Sequence, residues 1–211
     1  MNNNEFISAI KELNIEVTQE KLDLLEKYYN LLVETNKTTN LTRIVEKEDV
    51  YLKHFYDSLT ITKVINLNNV NSLCDIGTGA GFPGIVLKIF YPNVKVVLID
   101  ARNKKIEFLQ KVIKELNLND IETLHIRAEE YHEKFDIVTA RAVANIEKLL
   151  DYTMHLLNNN GKLIAMKGDI EVELSKEVQE KINKKYKISK IKKFILPIEN
   201  SRRSLVIIEN K

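Results

Sequence analysis

Residues 75–84 read Asp75-Ile76-Gly77-Thr78-Gly79-Ala80-Gly81-Phe82-Pro83-Gly84. Val70, Leu73 and Cys74 stand ahead of them and the apolar stretch Ile85 to Phe90 behind, which reads as strand, glycine-dense turn, helix. Glycine tolerates positive φ and has no Cβ to keep a ligand away, so this turn lets a ligand lie against bare backbone. Pro83 suits the first helical turn, where an N–H would lack a partner. The turn therefore points to a nucleotide or nucleoside pocket. Gly79 to Gly84 fits the dinucleotide pattern G-x-G-x-x-G, with Asp100 16 residues beyond its last glycine. A dinucleotide loop presents amides to a pyrophosphate, and a carboxylate at Asp75 would repel that group. A ligand with cationic groups and no phosphate would welcome it.

Read as Asp-x-Gly-x-Gly-x-Gly, Asp75 through Gly81 resembles the S-adenosylmethionine loop of Rossmann-like methyltransferases. That cofactor carries a sulfonium and an ammonium, so the charge favours this reading over a dinucleotide. The elements that must hold the loop follow from periodicity. Phe6, Ile7, Ile10 and Leu13 share a helix face. Thr18 is placed to cap a second helix with the stripe Leu22, Leu25, Tyr29, Leu32 and Val33. Asn36 to Asn40 predicts a break, and a third helix is expected from Glu46 to Ile65. Strands are then expected at Ser72–Ile76, Lys95–Asp100, Glu122–Arg127, Phe135–Arg141 and Lys162–Lys167. Helices are expected at Gly84–Phe90, Lys104–Leu116, Ile146–Leu157 and Glu171–Lys185, with Asn158 to Gly161 as a turn. Two closing strands, Lys187–Lys193 and Leu205–Glu209, would form an antiparallel edge hairpin. The expected fold is α/β and Rossmann-like, with a mostly parallel seven-stranded sheet. Residues 1–66 would be a helical elaboration on the domain at 67–211, the whole one compact unit.

Ligands in such sheets bind at the carboxyl ends of the strands, where Asp75, Asp100, Glu129 and Arg141 stand. Asp100 can accept from both ribose hydroxyls or merely cap the next helix. Ala128 and Glu129 can meet an adenine amine, although the neighbouring Glu130 leaves a solvated reading open. Phe82 can lie on the ligand or staple the helix. Arg141 beside a cationic cofactor needs an anionic partner, either the cofactor's carboxylate or a substrate phosphate.

At 211 residues and 44% hydrophobic content the chain fits one α/β domain with an elaboration. No stretch approaches a membrane span, and the opening residues do not read as a signal peptide. A single cysteine, Cys74, excludes an internal disulfide and an all-cysteine metal cluster. These features predict a cytoplasmic, metal-free protein with Cys74 as a buried hydrophobe. The net charge of +2 is unevenly spread. Lys181 to Lys193, including Lys184, Lys185, Lys192 and Lys193, forms with Arg202 and Arg203 a candidate phosphate surface. The competing reading is a solvated lysine-rich face. Lys37, Arg43, Lys53 and His54 could contribute from the helical region, and His54 could equally be a buried structural histidine.

With this loop, Asp100, Arg127-Ala128-Glu129, Arg141-Ala142 and Lys167-Gly168 in register, the chain resembles the RsmG (GidB) family. These are bacterial methyltransferases of guanine N7 in 16S ribosomal RNA. His54 with Asp57-Ser58 matches the family's His-x-x-Asp-Ser element, and the Phe82-Pro83-Gly84 ending is more specific than the glycines. The likeness runs from Asn40-Leu41-Thr42 to Ile208; Asp100-Ala101 departs from an acid followed by serine in many relatives. The resemblance implies S-adenosylmethionine as cofactor, held at Gly77, Phe82, Ala128, Glu129 and Arg141. It implies 16S rRNA or the small ribosomal subunit as partner, a monomer, and His54, Arg141 and Lys167 as substrate-positioning candidates. Guanine N7 has a free lone pair and no proton to lose, so an in-line displacement needs alignment rather than a general base. Thr139-Ala140-Arg141-Ala142 replaces the Asn/Asp-Pro-Pro-aromatic motif of amino-group methylation, and no cysteine is placed to attack a pyrimidine. A nucleotide-binding oxidoreductase or a non-catalytic nucleoside-binding module is the alternative.

Overall fold

The computed structural model describes residues 1–171 and 173–211. Seven strands form one sheet: β1 (Ser72–Ile76), β2 (Lys95–Asp100), β3 (Ile121–His125), β4 (Phe135–Arg141), β5 (Leu157–Lys167), β6 (Tyr186–Ile195) and β7 (Arg202–Asn210). Their spatial order is β3-β2-β1-β4-β5-β7-β6. All neighbouring pairs are parallel until β7, which runs antiparallel to both β5 and β6. The expected edge hairpin therefore forms, with its second strand tucked inside its first. Strands β1 and β4 are adjacent but far apart in the chain, which creates the crevice at their carboxyl ends where such sheets bind ligands.

The N-terminal helices are α1 (Asn3–Glu12), α2 (Gln19–Thr39) and a composite run from α3 (Lys47–Val50) through a π-helical segment (Tyr51–Tyr56) to α4 (Asp57–Leu59). Thr18 caps α2 as its position predicts, accepting from the Lys21 N–H at 3.3 Å. The break expected at Asn36 falls later. Asn36 stays helical and its Oδ1 accepts from the N–H groups of Leu41 (2.6 Å) and Thr42 (2.9 Å), so it secures the exit of the helix. The third helix is not regular: its middle widens to π geometry at Lys53 and His54, a distortion often found at functional sites. One hydrophobic core joins both parts, since Phe6, Leu25 and Tyr28 belong to the same buried cluster as Leu73, Val96 and Leu98.

Among the described residues, four α-helices lie between successive strands: α5 (Gly84–Phe90), α6 (Asn103–Glu115), α7 (Ile146–Thr153) and α8 (Lys176–Lys185). Helix α8 starts later than the Glu171 read from sequence, because Ser175 caps it; residue 172 lies outside the described residues. Asn158 to Gly161, expected as a turn, belongs to β5 and forms an irregularity where the β4–β5 register shifts. Gly161 lies so close to the Phe135 carbonyl and Asn158 N that a Cβ would stand 2.7 and 2.8 Å from them. That close approach leaves no room for a side chain at Gly161, and Asn158 to Gly161 have no β4 partners between the pairs Phe135–Leu157 and Ile137–Lys162. Cys74 is fully buried in β1.

Candidate functional site

Strand β1 ends in the glycine loop, and the loop is organised from below. Asp75 is fully buried, and its Oδ2 accepts from Thr78 Oγ1 (2.7 Å) and the Gly84 N–H (2.8 Å). Its Oδ1 has no hydrogen-bond partner among the described residues. Burial pushes its pKa up to about 7 against the lowering effects of Thr78, Gly84 and Arg141. The structure thus places Asp75 as an internal clamp beneath the loop rather than on the cavity wall that sequence reasoning gave it. The first N–H of α5, which in a dinucleotide site would face pyrophosphate, is taken by this carboxylate.

Gly77, Gly79 and Gly81 adopt φ of +62°, +61° and +99°. A Cβ on Gly79 would meet nothing nearer than the Gly77 carbonyl at 3.9 Å, so it would project into open space over the loop. Asp100, at the end of β2, is nearly buried and accepts from the Gly79 N–H (2.9 Å) through Oδ2. Its Oδ1 accepts from the Arg102 N–H (2.9 Å) and Nε (3.2 Å). The exposed Arg102 side chain therefore lies over the carboxylate expected to hold a ribose. Ala128 and Glu129 form a short turn after β3; Ala128 is buried, Glu129 is exposed, and neither lines the cavity described next.

That cavity, of about 640 Å³, opens between the glycine loop and the helical N-terminal part. Gly77 to Ala80 and Phe82 form one wall. Arg141, Lys167 and Arg203, from the ends of β4 and β5 and the start of β7, form the other with Lys53, His54 and Asp57. The π-helical segment presents His54, whose ring stacks on Phe82 (centroids 4.3 Å, 17° between planes). His54 Nδ1 lies 3.1 Å from Arg141 Nη2, which can only donate, and 3.2 Å from the Lys53 carbonyl, which can only accept; the shorter contact makes Nδ1 the acceptor from Arg141. The other ring nitrogen, Nε2, then donates to Thr42 Oγ1 at 3.0 Å. Burial, and next the Arg141 charge, pull the His54 pKa down to about 3, so the imidazole is neutral. His54 is thus both buried and part of the cavity, uniting its two sequence readings.

Asp57 ties the cationic wall together. It is 5% exposed, and its Oδ2 accepts from Arg141 Nη1 (3.1 Å) while Oδ1 accepts from Arg203 Nε (3.2 Å). Arg141 Nη1 also donates to the Lys53 carbonyl (2.8 Å), and its guanidinium lies 5.3 Å from the Phe82 ring centroid. Lys167 donates to Glu173 Oε1 (2.8 Å) and to the Ala144 carbonyl. Lys53 is paired with Asp49 (3.1 Å) and Glu199 (3.0 Å).

The proposed phosphate surface does not form one patch. Lys192 neighbours Lys63, whose amine lies over the cavity-lining Phe194, whereas Lys193 pairs with Glu171 (2.9 Å). Successive strand residues face opposite sides, so these two lysines diverge. Lys184 and Lys185 end α8, and Lys185 lines a separate 200 Å³ hollow together with Glu147 and Asp151. Arg202 turns outward to Asp169 (2.8 Å) while Arg203 turns into the cavity. Asp57 and Thr42 stand in the family-like segments without an assigned role, and sequence reasoning missed Phe194 and Glu199. The three-residue spacing of His54 and Asp57, which puts them on one helix face, was the available signal.

The sheet order, the reversed β7 and a glycine loop between β1 and α5 define a Rossmann-like methyltransferase fold. A ribosomal protein L11 methylase from Lactobacillus delbrueckii subsp. bulgaricus superposes with a TM-score of 0.56 at 17% identity, over 75% of this chain and 79% of that one. MtNAS in complex with S-adenosylmethionine gives 0.61 at 15% identity, over 90% and 76%. Within that class the sequence is more specific. The model of the GidB family, rRNA small subunit methyltransferase G, matches residues 21–206. The ribosomal RNA small subunit methyltransferase G of Bacillus subtilis (strain 168) is 40% identical over 215 residues, covering 99% of this chain and 90% of that protein. The chain belongs to the rRNA small subunit methyltransferase G family. The match begins well before Asn40 and so takes in helix α2.

Proposed function

We propose that the protein transfers the methyl group of S-adenosylmethionine to N7 of a guanine in 16S ribosomal RNA. The observation that carries this reading is the single cavity joining a bare-backbone loop to a wall of arginine and lysine. The loop residues fit the cofactor. Gly79 leaves open space where a side chain would stand, and Asp100 places a carboxylate at the loop edge. The helix N–H that a pyrophosphate would need is occupied by Asp75, which argues against a dinucleotide oxidoreductase. Gly77, Gly79, Gly81 and Phe82 would hold the cofactor, with Asp100 meeting its ribose once Arg102 swings aside. Ala128 and Glu129 would meet its adenine, and Asp75 would act through the loop. Bound S-adenosylmethionine supplies a methyl group on an electrophilic sulfonium.

The chain's own residues position the acceptor. Arg203 and Arg141, braced by Asp57, and Lys167, braced by Glu173, provide a field for the RNA backbone or the cofactor's carboxylate. These residues would hold the purine with N7 in line with the methyl carbon at roughly 3 Å, so that the N7–carbon bond forms as the carbon–sulfur bond breaks and sulfur keeps its electron pair. No proton has to leave N7. This agrees with a neutral His54 locked by Arg141 and with a carboxylate, Asp57, whose two oxygens each accept from an arginine. On this reading the protein acts as a monomer, and a ribosomal substrate agrees with a cytoplasmic location. Mapping 7-methylguanosine in 16S rRNA from cells with and without the gene tests the reading. A single guanine should lose its methyl group in the deletion and regain it with the wild-type gene, but not with Gly79→Val. An unchanged methylation map would refute it.

A further inference from the structure

The glycine loop touches a residue that no loop pattern contains. Tyr28, on α2, lies 52 positions before Ala80 in the chain, and its hydroxyl donates to the Ala80 carbonyl. The side chain is fully buried. We infer that Tyr28 is a positioning residue for the cofactor loop: its hydroxyl holds the Ala80–Gly81 peptide inward, and so sets the backbone on which the cofactor lies. This rests on the reading that Gly77 to Ala80 hold the cofactor.

Three observations converge on it. First, the peptide is fixed at both ends, because the Gly81 N–H donates to the Thr78 carbonyl (2.9 Å) while its carbonyl meets Tyr28. With flanking φ of +61° at Gly79 and +99° at Gly81, this backbone has few constraints of its own. A carbonyl turned into an apolar core and left without a donor is costly, so the loop's inward turn depends on the hydroxyl. Second, the approach leaves no room for a side chain. A Cβ on Gly81 would stand 2.6 Å from the Tyr28 hydroxyl and 2.9 Å from Ile85 Cδ1. Gly81 is thus glycine for the sake of α2 as well as for its own φ.

Third, the ring reaches the rest of the site. Tyr28 lies 5.4 Å from Phe82, 5.6 Å from Phe55 and 6.5 Å from Phe108, centroid to centroid. Phe82 in turn carries His54 at 4.3 Å and Arg141 at 5.3 Å. Burial raises the Tyr28 pKa well above its ordinary value, which keeps the hydroxyl protonated as a donor. The helical N-terminal part is therefore a wall of the cofactor site and not an appendage to it.

Tyr28→Phe removes one oxygen and keeps the aromatic packing. Calorimetry with S-adenosylhomocysteine should show binding about tenfold weaker, the equivalent of one lost net hydrogen bond. KM for S-adenosylmethionine should rise by a similar factor while KM for RNA stays unchanged. A matched control is Leu32→Val, one turn along α2 and also fully buried. It should lower the melting temperature without moving cofactor affinity. Wild-type affinity in a folded Tyr28→Phe variant would overturn the inference, as would an equal loss in Leu32→Val. Failure of the wild-type protein to bind S-adenosylhomocysteine would instead overturn the site reading on which it rests.

Discussion

Two cationic regions of this protein behave differently. At the cavity, Arg141 and Arg203 are less than one-quarter exposed and share one carboxylate, Asp57. On α8 and β6 the lysines are exposed, spread over two faces of the sheet edge, and paired one by one with Glu147 or Glu171 where they are paired. The first region has fewer charges and more constraint. Partly buried guanidiniums held by a common acceptor have fixed directions and weak screening, whereas exposed ammoniums on flexible stems have neither. Aim, rather than the number of charges, separates the two regions.

The strongest way to break this contrast is Asp57→Asn. It leaves two arginines facing each other without their carboxylate, which should cost about 3 kcal/mol of stability in urea denaturation. A loss under about 1 kcal/mol would put Asp57 in the class of ordinary surface ion pairs. Next comes Arg203→Ala. Methyl transfer at limiting RNA should fall about 30- to 100-fold with cofactor affinity unchanged, reflecting a lost charge-assisted contact. An equal loss of cofactor affinity would move Arg203 to the cofactor side.

The third prediction uses pH, because only the buried region should carry a protonation signature. The His54 pKa falls from 6.5 to about 3 on folding. Between those values the unfolded chain binds more protons, so the stability His54 contributes is complete above about pH 6.5 and lost as pH falls. Asp75 works the other way. Its pKa, raised from 3.8 to about 7, makes its contribution complete at low pH and lost as pH rises towards 7. Subtracting the stability of His54→Gln from that of the wild type isolates the first slope. The difference should fall by about 1 kcal/mol per pH unit between pH 6 and 4, near the limit for one proton. A flat difference would mean that the imidazole titrates normally. The smallest effect is expected for Lys184, Lys185, Lys192 and Lys193 changed together to Gln. Only Lys192 shares the face of the cavity, so the slope of log affinity against log salt should flatten by about 0.7–0.9. Flattening by three or more would restore these lysines as the main RNA surface.

Much of the framework was legible in the residues. The strand–turn–helix at Ser72 to Phe90, the alternating β and α units after Asn69, and the closing hairpin follow from local periodicity and turn chemistry. The misplaced boundaries had local causes that only contacts reveal: Asn36 reaching forward to Leu41, Gly161 pressed against Phe135, Ser175 taking the cap of α8. The site was legible as residue types and not as geometry. Arg141, His54, Lys167 and Arg203 could be named, but their common acceptor could not. Asp57 and Arg203 are 146 positions apart and meet only because β7 inserts beside β5, next to β4.

The sequence by itself determined the class of chemistry. Glycines at 77, 79 and 81 and acids at 75 and 100 are needed at fixed local spacing, and local spacing is visible in one dimension. Tertiary structure decided what each charge does. It buried Asp75 under the loop, turned Lys192 and Lys193 to opposite faces, aimed Arg203 inward and Arg202 outward, and brought Tyr28 against Ala80. The physical reason is that desolvation and hydrogen-bond partners set a side chain's charge state and direction, and both depend on which elements meet in space.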